Sequence, residues 1–246
     1  MNNPIAAFVQ ETKERIAANE TNKKLQNAAR DFNIASNKAQ YSYNFRWMGR
    51  PVIQYPQDIV AMQELIWDIK PDLIIETGIA HGGSLIFYAS MLELVGKGEV
   101  LGIDIDIRQH NKTEIEKHPM FRRITMIQGS SIDPAVVRKV KDIAKDKQTI
   151  LVVLDSNHTH EHVLEELKAY AGLVSVNSYV VVFDTIVEHL PADYLPGHKR
   201  PWGIGDNPMT AVEAFLAENS NFEIDKDINN KLLISVAPDG YLRRTR

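Results

Sequence analysis

The amino-acid sequence predicts an α/β fold, in which helices cover both faces of a doubly wound, mainly parallel β-sheet. Two observations predict it: short, continuously apolar runs recur from residue 72 onward, and amphipathic stretches of helical length separate them. Continuous apolarity is typical of strands that are buried on both faces, which helical crossovers provide. A chain of 246 residues accommodates one such core with a short appendage.

The predicted elements follow one another in a regular alternation. A helix begins at Pro56 and continues to about Lys70, because its apolar residues recur at spacings of three and four. Five strands come next, with the sequences LIIE, VLGID, ITMIQ, TILVVLD and YVVVFD. Helices are predicted between them, near residues 83–95, 109–118, 133–144 and 160–172. A loop at 190–208, a helix near 209–218 and the apolar runs FEI and LLISVA close the chain.

The segment before this alternation is predicted to form a separate helical appendage at residues 1–45, which leaves residues 46–246 as the main domain. It is rich in Ala, Asn, Lys and Glu, and it leads into an aromatic cluster of Tyr41, Tyr43, Phe45 and Trp47. The apolar and aromatic side chains of this segment indicate self-association, so we expect a homo-oligomer.

Charge and composition narrow the possible functions. The net charge is −4 with both signs mixed along the chain, which gives no basic stripe for nucleic acid. The absence of cysteine excludes disulfides, thiolate zinc sites and a cysteine nucleophile, and it suits a reducing compartment. No apolar run reaches the ~18 residues that span a bilayer, and the charged start does not resemble a signal peptide. We expect a cytoplasmic protein that acts on a small molecule, without nucleic-acid or membrane partners.

A glycine-rich turn, ETGIAHGGS at residues 76–84, follows the first strand. Gly78 permits a tight turn, and Gly82 lets a ligand approach the backbone at the positive end of the next helix. A dinucleotide fingerprint would need glycine at position 80, which is Ala. The spacing E-x-G-x-x-x-G instead resembles the first motif of class I methyltransferases, which bind S-adenosylmethionine. A generic glycine-rich turn in another α/β enzyme is the alternative.

Side chains of this turn have expected roles in holding such a cofactor. Glu76 suits the ammonium of the methionine end, and Ser84 lies at the start of the helix. His81 is interpreted as a residue that fixes the loop backbone rather than as a base. These residues complete the predicted contacts of the turn.

Two other strand ends extend the predicted cofactor site. Asp104 ends the second strand, where such folds place an acid to accept hydrogen bonds from the ribose hydroxyls. Asp106 is its rival, and helix capping is the alternative role for both. Ser131 follows the third strand, beside the expected position of adenine. Ser131 or Asp133 could equally cap the helix that follows.

Acids at the next two strand ends predict a metal site. Asp155 and Asp184 emerge at the same edge of a parallel sheet. Paired carboxylates are costly there unless they neutralise a cation, and we favour Mg²⁺ with oxygen ligands. His158 and His162 are four residues apart, which leaves open a zinc or iron site. A site without metal is the third alternative.

A more specific resemblance is carried by six segments in order. They are WMGRPVIQYPQD (47–58), IIETGIAHGGS (74–84), GIDIDIR (102–108), IQGSSID (127–133), LDSNHTHEHVLEEL (154–167) and GDNPMTAVEAFL (205–216). Together they resemble the cephalosporin hydroxylase family, whose members are Rossmann-like class I methyltransferases similar to rhamnosyl and macrolide sugar O-methyltransferases. The resemblance implies S-adenosylmethionine, often with Mg²⁺, and places the metal at Asp155 and Asp184. The chain departs at Phe183, where relatives have an acid.

The resemblance also implies a catalytic base. In the similar catechol-type O-methyltransferases a lysine lies three residues after the metal aspartate, and His158 occupies that position here. Coordination to a cation lowers the pKa of a bound oxygen, and a histidine could then take the proton as the oxygen attacks the methyl group. A structural turn histidine is the alternative. Asp155 and His158 are therefore the predicted catalytic residues, with Asp155 also beside the cofactor.

The predicted function is O-methylation of a hydroxyl on a small sugar-bearing or natural-product acceptor. The loop at residues 186–208, which contains Trp202, is predicted to be a lid that orders over the acceptor. Two alternatives belong to other classes. One is a metal-dependent hydroxylase that uses the histidines of DSNHTHEH, and the other is a catalytically silent small-molecule-binding protein.

Overall fold

The computed structural model describes residues 3–191 and 200–246, and it begins with two helices and a hairpin. Helices α1 (Pro4–Thr21) and α2 (Lys23–Lys38) each start at an asparagine whose side chain accepts a hydrogen bond from the first turn. A short antiparallel hairpin follows, formed by β1 (Phe45–Trp47) and β2 (Arg50–Val52). This hairpin leads directly into the core.

A seven-stranded sheet forms the core. Its strands are β3 (Leu73–Thr77), β4 (Glu99–Asp104), β5 (Ile124–Gln128), β6 (Ile150–Leu154), β7 (Tyr179–Val182), β8 (Phe222–Ile224) and β9 (Tyr241–Arg244). Their spatial order is β5-β4-β3-β6-β7-β9-β8. The five strands from β3 to β7 are parallel, and β9 pairs antiparallel with both β7 and β8. The predicted doubly wound α/β sheet is confirmed.

Helices cover both faces of this sheet. Successive residues of each strand point to opposite faces and so pack against different helices. They are α3 (Pro56–Ile69), α4 (Gly83–Val95), α5 (Gln109–Glu116), α6 (Pro134–Ala144), α7 (His160–Tyr170), α8 (Pro208–Glu218) and α9 (Lys226–Leu232). Ile74 packs in one apolar core with α3 and α4, whereas Leu73 and Ile75 pack in the other with α6, α7 and α8. Among the described helices, none combines the length and apolarity that a membrane crossing requires.

The run LLISVA does not add a strand to the sheet. Leu232 ends α9, and the chain then passes over a buried acid, Asp58, before β9 begins. The Ser235 hydroxyl and the Val236 amide donate hydrogen bonds of 2.6 and 2.9 Å to the Asp58 carboxyl. Burial raises the pKa of Asp58 to about 6, and these hydrogen bonds oppose the rise. The apolar run LLISVA therefore covers the buried Asp58 carboxyl and hydrogen-bonds to it, which its composition does not indicate.

Candidate active site

The site lies where the strand order reverses, between β3 and β6. Chain connections run outward from these two strands in opposite directions, which opens a crevice at their carboxyl ends. The loop after β3 and the loop after β6 touch there: a Cβ added to Gly78 would lie 2.0 Å from the Asp155 carbonyl oxygen. Gly78 also has a φ of +90°, so both space and backbone conformation require glycine. The predicted tight turn is thereby built against Asp155.

Asp104 holds the backbone of the glycine-rich turn at residues 76–84, which is called the cofactor loop below. Its Oδ2 accepts hydrogen bonds from the amides of Ile79 and Ala80 at 2.8 and 3.2 Å. Its Oδ1 accepts from the Asp106 amide at 2.9 Å. The Asp106 side chain is 69% exposed, lies 3.7 Å from Arg108 and does not line the cavity beside Asp104. Oδ1 keeps one lone pair for a further donor, whereas both lone pairs of Oδ2 are occupied.

A clamp on the same loop was missed by the sequence analysis. Arg50 donates from Nε and Nη2 to the His81 carbonyl oxygen at 3.0 and 2.5 Å, and from Nη2 to Asn111 Oδ1 at 3.0 Å. Asn111 Nδ2 in turn donates to the Ala80 carbonyl oxygen at 2.9 Å. The loop is thus fixed at two carbonyls, and the His81 backbone rather than its imidazole is the group held. The only signal in the sequence was the position of Arg50 inside the segment 47–58.

Glu76 lies beneath the loop and is completely buried. Its Oε2 accepts a hydrogen bond of 2.8 Å from the Ser84 hydroxyl at the start of α4. Burial raises the pKa of Glu76 to about 8, and the Ser84 hydrogen bond opposes the rise. A cation beside this carboxyl would lower its pKa again.

A cavity of about 280 Å³ lies beside Asp104, Gly78 and Ala80. It is lined in part by Ser131, whose hydroxyl lies 3.1 Å from His162 Nε2. Behind His162 lies Glu166, a fully buried acid that the sequence analysis did not single out. Asp133, not Ser131, caps α6, since its side chain accepts from the Ala135 amide at 2.7 Å. Ser131 is therefore left to face the cavity.

The two predicted metal ligands, Asp155 and Asp184, lie close to His158. Asp155, His158 and Asp184 each offer one ligand atom, and these atoms lie within 4.8 Å of one another. His158 Nε2 is 3.3 Å from Asp184 Oδ2. Burial, then the charges of Asp184 and Glu76, raise the pKa of Asp155 well above its ordinary value, which a bound cation would reverse. Two carboxylates and an imidazole form a suitable donor set for a divalent cation.

Phe183 contributes nothing to this cluster. Its side chain is 1% exposed and packs in the apolar core that contains α3 and α4. The third residue of the cluster is His158 instead. In the part of the chain that the structure describes, this is the one such group, and His162 stands outside it against Ser131 and Glu166.

Trp202 packs against the cluster at His158 and lines the site. Its ring meets the His158 ring edge-on with 4.8 Å between centroids, and the Arg200 guanidinium lies 5.3 Å from the Trp202 ring centroid. The turn that carries it is anchored by Asp206, whose Oδ1 accepts from the His160 amide at 2.7 Å. Residues 192–199 of the predicted lid lie outside the described residues. The lid itself stays a prediction.

A further cavity, of about 220 Å³, opens on the opposite side of the cluster from Asp104. His158, Asp184 and Arg200 line it together with Gln54. Its outer wall comes from the segment before the hairpin, through Asn37, Gln40, Ser42 and Tyr43. The predicted appendage therefore contributes side chains to the site, which the sequence did not indicate.

Solved structures first define the class of the protein. A structure of CmcI with Mg and SAM is 21% identical with a TM-score of 0.59, over 83% of this chain and 78% of that one. An apo-structure of CmcI-N160 is 20% identical with a TM-score of 0.58, over 83% and 77%. With the sheet order above, these likenesses define the class I methyltransferase fold.

Sequence comparison then gives the family. The model of the rhamnosyl O-methyltransferase/CmcI family matches residues 39–245. The rhamnosyl O-methyltransferase of Mycobacterium tuberculosis is 30% identical over 204 residues, which are 80% of this chain and 77% of that protein. The Mycobacterium leprae enzyme of the same name is 28% identical over 201 residues, 80% and 82% of the two chains. The chain belongs to this family and is an S-adenosylmethionine-dependent methyltransferase, which confirms the resemblance seen in six segments.

Proposed function

We propose that the protein transfers a methyl group from S-adenosylmethionine to a hydroxyl of a small sugar-bearing or natural-product acceptor, assisted by Mg²⁺. One observation carries this proposal: the two cavities meet at the acidic cluster. Gly78, Asp155 and Trp202 line both of them. A methyl donor in one cavity and a hydroxyl in the other would therefore meet beside Asp155.

The cofactor is assigned to the cavity at Asp104. The ribose hydroxyls donate to Asp104, and adenine lies beside Ser131, which lines the same cavity. The methionine end passes over Gly78 toward Glu76 and Ser84. Arg50 holds the loop at the His81 carbonyl, and Gly82 leaves room for the Ile115 side chain, which a Cβ would approach to 2.3 Å.

The reaction is a direct displacement at the methyl carbon. The acceptor oxygen forms the new C–O bond as the C–S bond breaks, the sulfur keeps the electron pair as S-adenosylhomocysteine, and the hydroxyl proton goes to His158 Nδ1, the ring nitrogen that does not face Asp184. Mg²⁺ held by Asp155 and Asp184 would lower the proton affinity of the acceptor oxygen. Asp184, 3.3 Å from His158, orients the imidazole and stabilises its charged form. Trp202 covers the base and excludes water.

The acceptor class follows from the other cavity and from the family. Asn37, Gln40 and Ser42 present amide and hydroxyl groups without charge, which suit a ligand rich in hydroxyls. The rhamnosyl O-methyltransferase relatives support the same class. A facial triad of two histidines and one carboxylate, which the alternative hydroxylase needs, is not formed by the described residues.

The proposal also covers domain organisation, assembly and compartment. Residues 1–45 form the helical appendage of a methyltransferase domain at residues 46–246, and the protein forms a homo-oligomer in the cytoplasm. Helix α1 supports self-association, because it has no buried residue and Ile5, Phe8 and Val9 are 75%, 65% and 49% exposed. Size measurement in solution, with and without residues 1–21, tests the assembly.

Incubation with S-adenosylmethionine that carries a labelled methyl group tests the function. The acceptor panel consists of methyl glycosides, catechol as a phenolic hydroxyl, and no acceptor. We expect labelled methyl ether only from a glycoside, in step with S-adenosylhomocysteine release and only with Mg²⁺ present. A panel that gives label in catechol alone would contradict the acceptor class.

Replacement of Asp104 by alanine is expected to weaken S-adenosylmethionine binding about ten- to a hundred-fold, or roughly 1.5 to 3 kcal/mol. The variant removes the ribose acceptor and frees the Ile79 and Ala80 amides. Calorimetric titration measures the change. Asp106→Ala is the matched control, because its exposed carboxylate does not line the cavity beside Asp104. Equal affinities in the two folded variants would refute the ribose assignment.

A further inference from the structure

Gln54 is a buried side chain that the proposed mechanism leaves without a role. It lies in the segment 47–58, between β2 and α3, and is 2% exposed. It lines the same cavity as Gly78, Ser84 and Asp155, at the end of that cavity toward which the methionine end of the cofactor is proposed to pass. Neither its amide nitrogen nor its amide oxygen has a hydrogen-bond partner among the described residues. Because buried polar groups are almost always paired, an unpaired amide that faces a cavity indicates a ligand.

Two more buried atoms near Gln54 have no hydrogen-bond partner among the described residues. They are Glu76 Oε1 and the Tyr88 hydroxyl, both on completely buried residues. Burial and the Glu76 carboxylate raise the pKa of Tyr88, whereas the Gln54 amide lowers it, so all three groups are neighbours. Gln54 and Asp155 also line the same cavity. Gln54 therefore stands between the acid beneath the cofactor loop and the acid of the metal cluster.

The hydrogen-bonding inventory of this cluster defines the missing partner. Glu76, Asp155 and the Gln54 carbonyl offer more acceptor sites than the Gln54 amide nitrogen and the Tyr88 hydroxyl can fill. The buried carboxylates also call for positive charge. A primary ammonium supplies three donors, no acceptor and one positive charge. The amino-acid end of S-adenosylmethionine carries such a group.

We propose that the Gln54 amide oxygen accepts a hydrogen bond from the α-ammonium of the cofactor, beside Glu76, and so makes the site select the amino-acid end of its ligand. This inference rests on the proposed cofactor. It assigns Gln54 as a specificity-determining residue.

The hairpin keeps Gln54 in place for this contact. A Cβ on Gly83 would lie 2.0 Å from the Pro51 carbonyl oxygen, so β2 lies directly on the start of α4. Arg50 fixes the same strand to the His81 carbonyl. On the other side, the Tyr55 hydroxyl is 2.7 Å from Ser36 Oγ and accepts from Asn37 Nδ2 at 2.8 Å. The chain is thus anchored on both sides of Gln54, at Arg50 and Pro51 before it and at Tyr55 after it.

Two ligands distinguish this contact from a general effect on the fold. S-adenosylhomocysteine contains the α-ammonium, and 5′-methylthioadenosine has the same nucleoside and thioether without the amino-acid end. Calorimetry on Gln54→Met should show S-adenosylhomocysteine bound roughly ten- to a hundred-fold more weakly, with methylthioadenosine within about two-fold of the unchanged protein. Gln148→Met, an exposed glutamine at the opposite end of the sheet, should change neither affinity.

A measurement on the unchanged protein does not depend on how the variant folds. S-adenosylhomocysteine in which hydrogen replaces the α-amino group should bind roughly ten- to a hundred-fold more weakly than the parent compound. Equal binding of these two ligands would overturn the inference, as would equal weakening of S-adenosylhomocysteine and methylthioadenosine in Gln54→Met. Failure of all three nucleosides to bind the unchanged protein would instead refute the proposed function itself.

Discussion

Replacement of Asp155 by asparagine is expected to abolish Mg²⁺ dependence together with most turnover, while S-adenosylmethionine binding survives. Asparagine keeps the shape of the side chain but removes the charge that faces Asp184 and His158 in the cluster. Without that charge the cation is held too weakly to stabilise the developing alkoxide, which costs about 10²- to 10³-fold in turnover or more. Initial rates across a Mg²⁺ titration measure the loss, and calorimetry measures cofactor binding.

Asp106→Asn is the matched control for this variant, because it removes an exposed acid after β4, another parallel strand of the same sheet. It should keep both turnover and Mg²⁺ dependence. Activity of the unchanged protein that EDTA does not reduce would remove the metal from the mechanism.

Replacement of His158 by alanine is expected to lower turnover by about 10²- to 10⁴-fold, the usual contribution of a positioned general base. Cofactor and Mg²⁺ affinities should stay nearly unchanged. The dependence of the rate on pH should change, because a protonated base cannot accept the hydroxyl proton and the variant has no base at this position. Initial rates across a pH series measure the change.

The structure sharpens this test, because His158 also stands within reach of the metal position. If His158 were a ligand instead of the base, His158→Ala would weaken Mg²⁺ binding. His160→Ala is the matched control: its ring contacts Thr210 Oγ1 at 2.9 Å on the far side of the turn. Wild-type turnover and pH profile in His158→Ala would reduce that residue to a structural histidine.

The sheet could be predicted because its signals are local. Each strand is an uninterrupted apolar run, and the acids that follow it, such as Asp104 and Asp155, mark the edge where ligands bind. The glycines of the cofactor loop could be predicted for the same reason, since a tight turn next to a helix requires them. The family resemblance added His158, whose place beside Asp184 the structure then showed.

Contacts between distant segments could not be predicted. Arg50 and Asn111 are far apart in sequence, yet together they hold two carbonyls of one loop. Gln54 is one of many glutamines until the fold buries its amide without a partner. Likewise, the polar wall that Gln40 and Ser42 give to the acceptor cavity depends on how the first helices return to the sheet. Such features arise from contacts between segments that are far apart in the sequence, and no local pattern of residues indicates which segments will meet.

Calorimetric titration with S-adenosylmethionine, in the presence and absence of Mg²⁺, most directly tests the claim that the protein is a Mg²⁺-assisted methyltransferase. The account predicts one cofactor bound per chain in both conditions, and a separate Mg²⁺ binding event that Asp155→Asn removes. Absence of any S-adenosylmethionine binding to the folded protein, at cofactor concentrations up to the ~1 mM upper limit of ordinary substrate affinities, would contradict it.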